Sequence, residues 1–496
     1  LLFCDQVCYT MSMTSCTIHI KDEVNIKISD LATTTRRKLE KEFKYFQPWA
    51  YHSPAYKLGR WDGCVSYFSL GGTTFFNLLD RILPILVDEG YNIEINDQRT
   101  NHNFQFLEVT ETTHDQTIWP KGHVNEGAPV LLRDYQVDAI NKFLNNLQCI
   151  QEISTGAGKT ITTATLSKSV QDYGRSLIIV PNKDLVKQTL EDYELLGLDV
   201  GVYFGDKKEL GKTHTICTWQ SLNILEKRFK DGESPLSLAE FGQDLIAIIV
   251  DEVHQAKADV LKALLSGPFS NVPIRWGLTG TIPKEEFEKV GLISTLGPVV
   301  NKIAAKDLQD QGVLANCTVN IIQLQETAQY QTYQEELTFL TTNTRRIDFI
   351  AEFVKGLALS GNTLVLVDRI KAGELLCERI PDSVFVSGAM KTGDRKEHYD
   401  EIKESDGKVI VATYGVAAVG INIPRIFNLV LLEPGKSFVR VIQSIGRGIR
   451  RAQDKDHVEI WDLTSSAKFS KKHLTTRKKY YEDASYPYKI EKVKYL

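Results

Sequence analysis

Cysteines are present in this chain, but a C-x-x-C pair is not. The eight stand at positions 4, 8, 16, 64, 149, 217, 317 and 377 with no C-x-x-C among them, several inside apolar runs. This argues against a zinc site or a disulfide framework and predicts free thiols in a reducing cytosol. Long apolar runs are missing too: none approaches the ~18 residues of a membrane span, so no membrane partner is expected. Leu1 to Ser12 carry Asp5 and no basic stretch, unlike a secretory signal. Residues 1–14 are therefore expected to be an extra or disordered leader. Charge of one sign is also absent, since 59 Lys+Arg against 63 Asp+Glu leave a net −4. Any nucleic-acid partner has to be held by local patches.

What is present is a globular composition, 42% hydrophobic and 25% charged over 496 residues, enough for about three domains. Residues 15–96 read as a small α/β unit. Alternating apolar positions over Thr17–Ile28 predict strand, and a basic helix is expected from Ser29 or Asp30 to about Gln47. Asp62-Gly63 reads as a turn into a strand from Cys64 to Leu70, with a helix over Phe75–Glu89 and a strand over Tyr91–Ile95 following. Arg60 and Trp61, with Trp49 and Tyr51, are its candidate nucleic-acid contacts; the plainer alternative is a solvated helix over core aromatics. Residues 97–129 turn polar and aperiodic, as a connector does.

From residue 130 onward apolar strand-like runs alternate with helical patterns, which predicts parallel sheets with helices on both faces. The first series covers 130–300, with strands at 177–180, 200–204, 215–217, 245–250 and 274–278. The second covers 301–465, with strands at 363–367, 384–386, 408–412, 429–432 and 458–461. Residues 466–496, with nine Lys/Arg against three Asp/Glu, read as a basic tail.

At the head of the first series an apolar run, Cys149–Ile153, enters Ser154-Thr155-Gly156-Ala157-Gly158-Lys159-Thr160, ahead of a helix over Ile161–Val170. Strand, glycine loop, lysine, hydroxyl and helix form a phosphate cradle: glycines admit backbone N–H groups to the phosphate, and Lys159 adds a point charge. Thr160 is placed to hold magnesium. Ile153 stands where the strict pattern has glycine, so a capped αL turn is the alternative reading of this heptapeptide alone. The buried-strand run Leu245–Val250 ends in Asp251-Glu252-Val253-His254. Carboxylates at the C-terminal end of a parallel strand face the ligand crevice, Asp251 toward magnesium and Glu252 as general base for water.

Asp-Glu-Val-His resembles the second motif of superfamily 2 helicases, a DEAH-like box with Val for Ala, and other motifs follow in the family's order. Arg133-Asp134-Tyr135-Gln136 resembles the Q-motif region, which implies an adenine contact for Gln136. Val180-Pro181-Asn182-Lys183 and Thr218-Trp219-Gln220-Ser221 resemble segments that touch a nucleic-acid backbone. Leu278-Thr279-Gly280-Thr281 resembles motif III, and the resemblance assigns coupling roles to His254, Thr279, Gly280, Thr281 and Gln443. Ala412-Thr413-Tyr414-Gly415 through Gly420-Ile421-Asn422-Ile423-Pro424 resembles motif V, implying a DNA contact at Thr413 and nucleotide contacts at Gly420 and Asn422. Gln443-x-x-Gly446-Arg447-x-x-Arg450 resembles motif VI, with Arg447 and Arg450 as arginine fingers; a basic helix end is the plainer reading.

Together these imply two tandem RecA-like domains that bind ATP and Mg2+ in the cleft between them. Tyr56-x-x-Gly-Arg-Trp-Asp-Gly63, with Phe75-Phe76-Asn77-Leu78-Leu79, is similar to the amino-terminal region of the UvsW-like phage recombination helicases. That likeness implies an ATP-dependent DNA helicase or branch-migration enzyme working on junctions, forks and R-loops in recombination, repair and replication. Its partners would be branched or single-stranded DNA, RNA–DNA hybrids and recombination or replication proteins, in the host cytosol if phage-encoded. The alternatives are the motor of a restriction-type complex, an RNA helicase, and an inactive nucleic-acid clamp.

Overall fold

The computed structural model describes residues 14–121, 125–253, 258–388, 405–416, 425–448 and 454–495, together with positions 390, 398 and 402. The leader up to residue 13, His254, Gly420, Asn422 and Arg450 lie outside the described residues, as do the side chains of Gln443 and Arg447.

Two parallel sheets dominate the molecule. The first has eight strands in the order Lys207–Lys208, Val200–Phe204, His214–Thr218, Arg175–Val180, Leu245–Asp251, Ile274–Thr279, Gln148–Ile153 and Val299–Ile303. All seven residues of Leu245–Asp251 are buried. A central strand with helices on both faces has no polar face to offer, hence the unbroken apolar run. The order brings three strand ends side by side, because Asp251 pairs with Leu278 and Thr279 pairs with Glu152.

The second sheet has seven strands: Val384–Val386, Val409–Thr413, Thr363–Val367, Asn428–Leu432, His457–Ser465, Asn316–Leu324 and Tyr488–Val493. Two features differ from the reading of the sequence. Val299–Ile303 pairs with Gln148–Ile153, so the chain leaves the first sheet only after residue 303 and not at 300. Residues 466–496, expected as a tail, form the helix Lys468–Asp483 and the strand Tyr488–Val493, which extends the second sheet beside Asn316–Leu324. The helix hides Ser470, Leu474, Arg477 and Tyr481 on one face and turns its lysines outward. A net charge count cannot see that one-sided placement.

The N-terminal unit carries a four-stranded sheet, Thr73–Phe75, Asn25–Ser29, Thr14–Ile20 and Tyr91–Asp97, with the helix Leu79–Asp88 behind it. Its basic helix is shorter than expected and runs over Thr33–Glu42. Phe43 is buried, and Lys44–Phe46 leaves the helix to pair antiparallel with Cys64–Ser66. Between those strands Gly63 is required: its φ is +78°, and a Cβ there would lie 2.5 Å from the Phe46 ring.

This unit is seated on the first sheet's domain. Val290 and Ile293 pack into the N-terminal core, and the Tyr67 hydroxyl donates to Phe287 O at 2.8 Å. Lys262 Nζ sits 4.2 Å from the Tyr67 ring centroid and 5.0 Å from that of Phe75. Glu23 accepts from Gln148 Nε2 and from Arg99, and its backbone N–H donates to Ser270 O. Burial pushes the Glu23 carboxyl above its ordinary pKa, against the pull of the Arg99 guanidinium. Asp97, expected in the connector, still belongs to the strand Tyr91–Asp97, whereas residues 98–129 contain no helix or strand among the described positions, yet they are packed down. Asn141 grips both backbone groups of Val109, and buried His114 bonds Thr165 at 2.9 Å.

Candidate functional site

The phosphate-type loop leaves the strand Gln148–Ile153 and feeds the helix Lys159–Val170. Gly156 and Gly158 take φ of +89° and +80°, the left-handed turn that β-carbons resist. The Gly158 N-cap offers no side-chain cap, so the first helical N–H groups face the loop's concavity uncapped. Ser154 Oγ is buried and has no hydrogen-bond partner among the described residues. Lys159 and Thr160 are each 9% exposed.

Lys159 Nζ lies 3.0 Å from Glu252 Oε1 and donates to Ile153 O at 3.3 Å. Glu252 is held in turn. Its φ is +52°, unusual for a residue with a β-carbon, its N–H donates to Asp251 Oδ1 at 2.9 Å, and its Oε2 accepts from Gly280 N at 3.4 Å. Backbone strain of this kind persists only where the surroundings over-determine the conformation. Thr279 Oγ1 donates to Thr281 O at 2.8 Å, closing the turn that presents Gly280 to Glu252. Ser154–Thr160, Asp251-Glu252 and Thr279–Thr281 thus meet in one place. A Cβ on Gly280 would come within 3.1 Å of Thr155 Oγ1 and 3.6 Å of Lys159 Nζ, so Gly280 packs directly against the loop.

Two contacts that support the loop are not given by the motifs that the sequence shows. Gln136 is buried, accepting from Arg133 N at 2.9 Å and donating through Nε2 to Ala157 O at 3.0 Å, a carbonyl that also accepts from the Tyr135 hydroxyl. Its amide therefore holds the loop's backbone from behind. Asp192, on the helix Lys183–Leu195, accepts from the Thr160 hydroxyl, and burial raises its carboxyl to about 6. Nothing in the spacing of residues 160 and 192 reveals that contact.

The second sheet's domain reaches the same loop. Its helix Phe438–Gly448 passes so close that a Cβ on Gly446 would lie 3.0 Å from Thr155 Cβ. The Arg447 backbone follows directly, which places the arginine-bearing helix against the loop of the other domain.

At the C-terminal ends of neighbouring strands of the first sheet lies a second, more polar surface. Thr218 caps the helix Trp219–Lys230 by accepting from Ser221 N at 3.3 Å and shares a 2.8 Å hydrogen bond with the Ser221 hydroxyl. Gln220 Nε2 donates to Pro181 O at 3.0 Å. Gln220 Oε1 and Trp219 Nε1 have no hydrogen-bond partner among the described residues. Lys183 is exposed at the start of its helix. Thr413 ends the strand Val409–Thr413, half-buried. Farther away, on the N-terminal unit, Trp49 and Trp61 stand 5.1 Å apart between ring centroids, with Trp49 50% and Tyr51 59% exposed. Arg60 is exposed beside them, while Trp61 Nε1 is tied to Cys64 O at 2.9 Å.

Comparison with known proteins agrees with this geometry. Residues 130–284 match the family "Type III restriction enzyme, res subunit", and residues 345–452 match "Helicase conserved C-terminal domain". The chain is a superfamily 2 helicase, built on two RecA-like domains, and so an enzyme that hydrolyses ATP to drive strand unwinding. Within that class it resembles the ATP-dependent DNA helicase UvsW of Enterobacteria phage T4, with 25% identity over 485 residues covering 93% of each chain. It is also similar to the DNA 3'-5' helicase XPB of Kineococcus radiotolerans, 24% identical over 72% of this chain and 64% of that one. A fragment of an HsdR subunit of a type I restriction enzyme from Vibrio vulnificus shares the fold. Its TM-score is 0.54 at 16% identity, covering 95% of this chain and 85% of that one.

Proposed function

We propose that the protein is an ATP-driven DNA translocase that unwinds or branch-migrates branched DNA, namely junctions, forks and R-loops, in recombination, repair and replication. The observation that carries this reading is the seating of the N-terminal unit on the first motor domain with exposed aromatics at its rim. A substrate-gripping module fixed to a motor moves with it, and Trp49, Tyr51 and Trp61 offer stacking faces to unpaired bases at a branch. The near full-length likeness to UvsW, an ATP-dependent DNA helicase, supports DNA as the polymer that is moved.

In the ATP site the donor set fits a magnesium nucleotide. Glycine-lined N–H groups, Lys159 and the unpartnered Ser154 hydroxyl match a triphosphate, and Thr160 and Asp251 supply hard oxygen ligands. When bound, Mg2+ would neutralise phosphate charge. Glu252 then orients the attacking water, with Arg447 and Arg450 arriving from the second domain to stabilise the developing negative charge. Gly420 and Asn422 complete the nucleotide side, and Gln136 reads the base while bracing the loop. His254, Thr279–Thr281 and Gln443 pass the state of the nucleotide to the DNA path. That path runs over Pro181, Lys183, Thr218–Ser221 and Thr413, where a helix N-terminus and polar side chains meet phosphates.

The restriction-type match over residues 130–284 favours one second reading, the motor of a restriction complex. Comparing ATP-dependent unwinding of a four-way junction, a fork, an RNA–DNA hybrid loop and blunt linear duplex separates the two. Preference for the branched substrates is expected. Uniform translocation on linear duplex, without unwinding of branches, would favour the restriction motor.

A further inference from the structure

The helix Lys468–Asp483 belongs to none of the helicase motifs, yet its contacts converge on the machinery. Its start is pinned by Glu336, which accepts from Ser470 N at 2.7 Å and Phe469 N at 3.0 Å. Its middle is pinned by Asp462, which accepts from Arg477 Nε and Nη2 at 2.8 and 2.9 Å and from the Tyr481 hydroxyl at 2.7 Å, with Arg477 and Asp462 fully buried. A guanidinium clamped in this way cannot swing, and its remaining nitrogen, Nη1, donates to Gly435 O at 2.7 Å. One turn farther on, the Tyr480 hydroxyl donates to Lys436 O at 2.9 Å. Gly435 and Lys436 lie on the short segment from the strand Asn428–Leu432 into the helix Phe438–Gly448, which bears Arg447.

The far end of the same helix touches the other motor. Lys284, just beyond Thr281, pairs with Asp483 at 2.6 Å and lies 5.1 Å from the Tyr480 ring centroid. One rigid helix therefore contacts both the approach to the arginine-bearing helix and the exit of the Thr279–Thr281 turn. We propose that Lys468–Asp483 positions the helix Phe438–Gly448 for ATP hydrolysis, with Arg477 and Tyr480 as positioning residues and Lys284–Asp483 as the contact that registers closure of the two motors. This rests on the role proposed above for Arg447.

Arg477 is too deeply buried for a clean test, because removing it strands Asp462 as an unpaired charge. Tyr480→Phe removes a single hydroxyl and leaves the Arg477–Asp462 pair in place. In the full chain the DNA-stimulated kcat is expected to fall about fivefold, equivalent to ~1 kcal/mol on the barrier, with KM for ATP and Tm unchanged. Lys284→Glu and Asp483→Lys are each expected to lower kcat roughly twofold, and the double exchange to restore it. An unchanged kcat in Tyr480→Phe, a fall matched by a loss of Tm, or a double exchange that fails to recover overturns the proposal and leaves the helix as a staple. Arg447→Ala run in parallel separates the layers. If it keeps full turnover, the arginine reading itself fails. If it abolishes turnover while Tyr480→Phe and the exchanges do not lower kcat, only the positioning role fails.

Discussion

Glu252 joins three loops with one carboxylate: Lys159 on one oxygen, Gly280 N on the other, and a left-handed backbone that its hydrogen bond to Asp251 helps hold. Two substitutions at this cluster have different expected outcomes. Lys159→Ala leaves a buried carboxylate without its cation, so it should lower Tm as well as abolish ATP turnover. Glu252→Gln keeps the shape and a hydrogen-bonding amide. It should retain nucleotide binding and most of the stability while turnover falls by about 100-fold or more. Isothermal ATP binding beside a turnover assay checks both. Normal turnover in Glu252→Gln would remove Glu252 from the chemistry.

Much of this cluster was legible from the chain. Ser154–Thr160 and Asp251-Glu252 are contiguous strings whose chemistry is written in their spacing, and motif order linked them. The contacts of Gln136 with Ala157 and of Asp192 with Thr160 were not legible. Each joins positions far apart in the chain through a single side chain, and no periodicity marks such a pair.

Among the elements, buried central strands such as Leu245–Asp251 and Thr363–Val367 announce themselves as short apolar runs. Tyr488–Val493 does not, because Lys489, Glu491 and Lys492 make an edge strand look like tail. Charge conceals burial in the second domain as well. Arg346 is fully buried between Glu326 and Glu433, yet in the sequence it is one more arginine on a helix.

The strand His214–Thr218 carries a testable consequence of burial. His214 is enclosed, its Nδ1 2.8 Å from Ser176 Oγ, and burial depresses its pKa to about 4. A histidine held neutral in the folded state contributes stability above its unfolded pKa near 6.5, and that contribution is lost as pH falls through about 4. The stake is on the order of 2–3 kcal/mol. Denaturant midpoints measured from pH 7 to 4 should fall steeply in the unaltered protein and less steeply in His214→Asn. Parallel slopes would mean that His214 titrates as an exposed group does.

For the molecule as a whole, the N-terminal unit is part of the motor's architecture. Val290 and Ile293 lie in its core and Lys262 between its aromatic rings, so cutting the chain near residue 96 would expose the first motor domain. Substrate choice is better probed by point changes at the rim. Trp49→Ala with Trp61→Ala should weaken junction binding about tenfold or more, the scale of one or two lost stacking contacts, while ATP turnover without DNA stays level. Fluorescence anisotropy with a labelled four-way junction reads the first quantity. Undiminished affinity would move the branch-recognising surface elsewhere.

The central claim, a two-domain ATP motor directed to branched DNA, meets its most direct test in one measurement. Steady-state ATP turnover of the full chain is compared without nucleic acid, with linear duplex and with a four-way junction of equal length and salt. The account predicts stimulation by DNA that is greatest on the junction and is lost in Lys159→Ala. Equal turnover under all three conditions would contradict it.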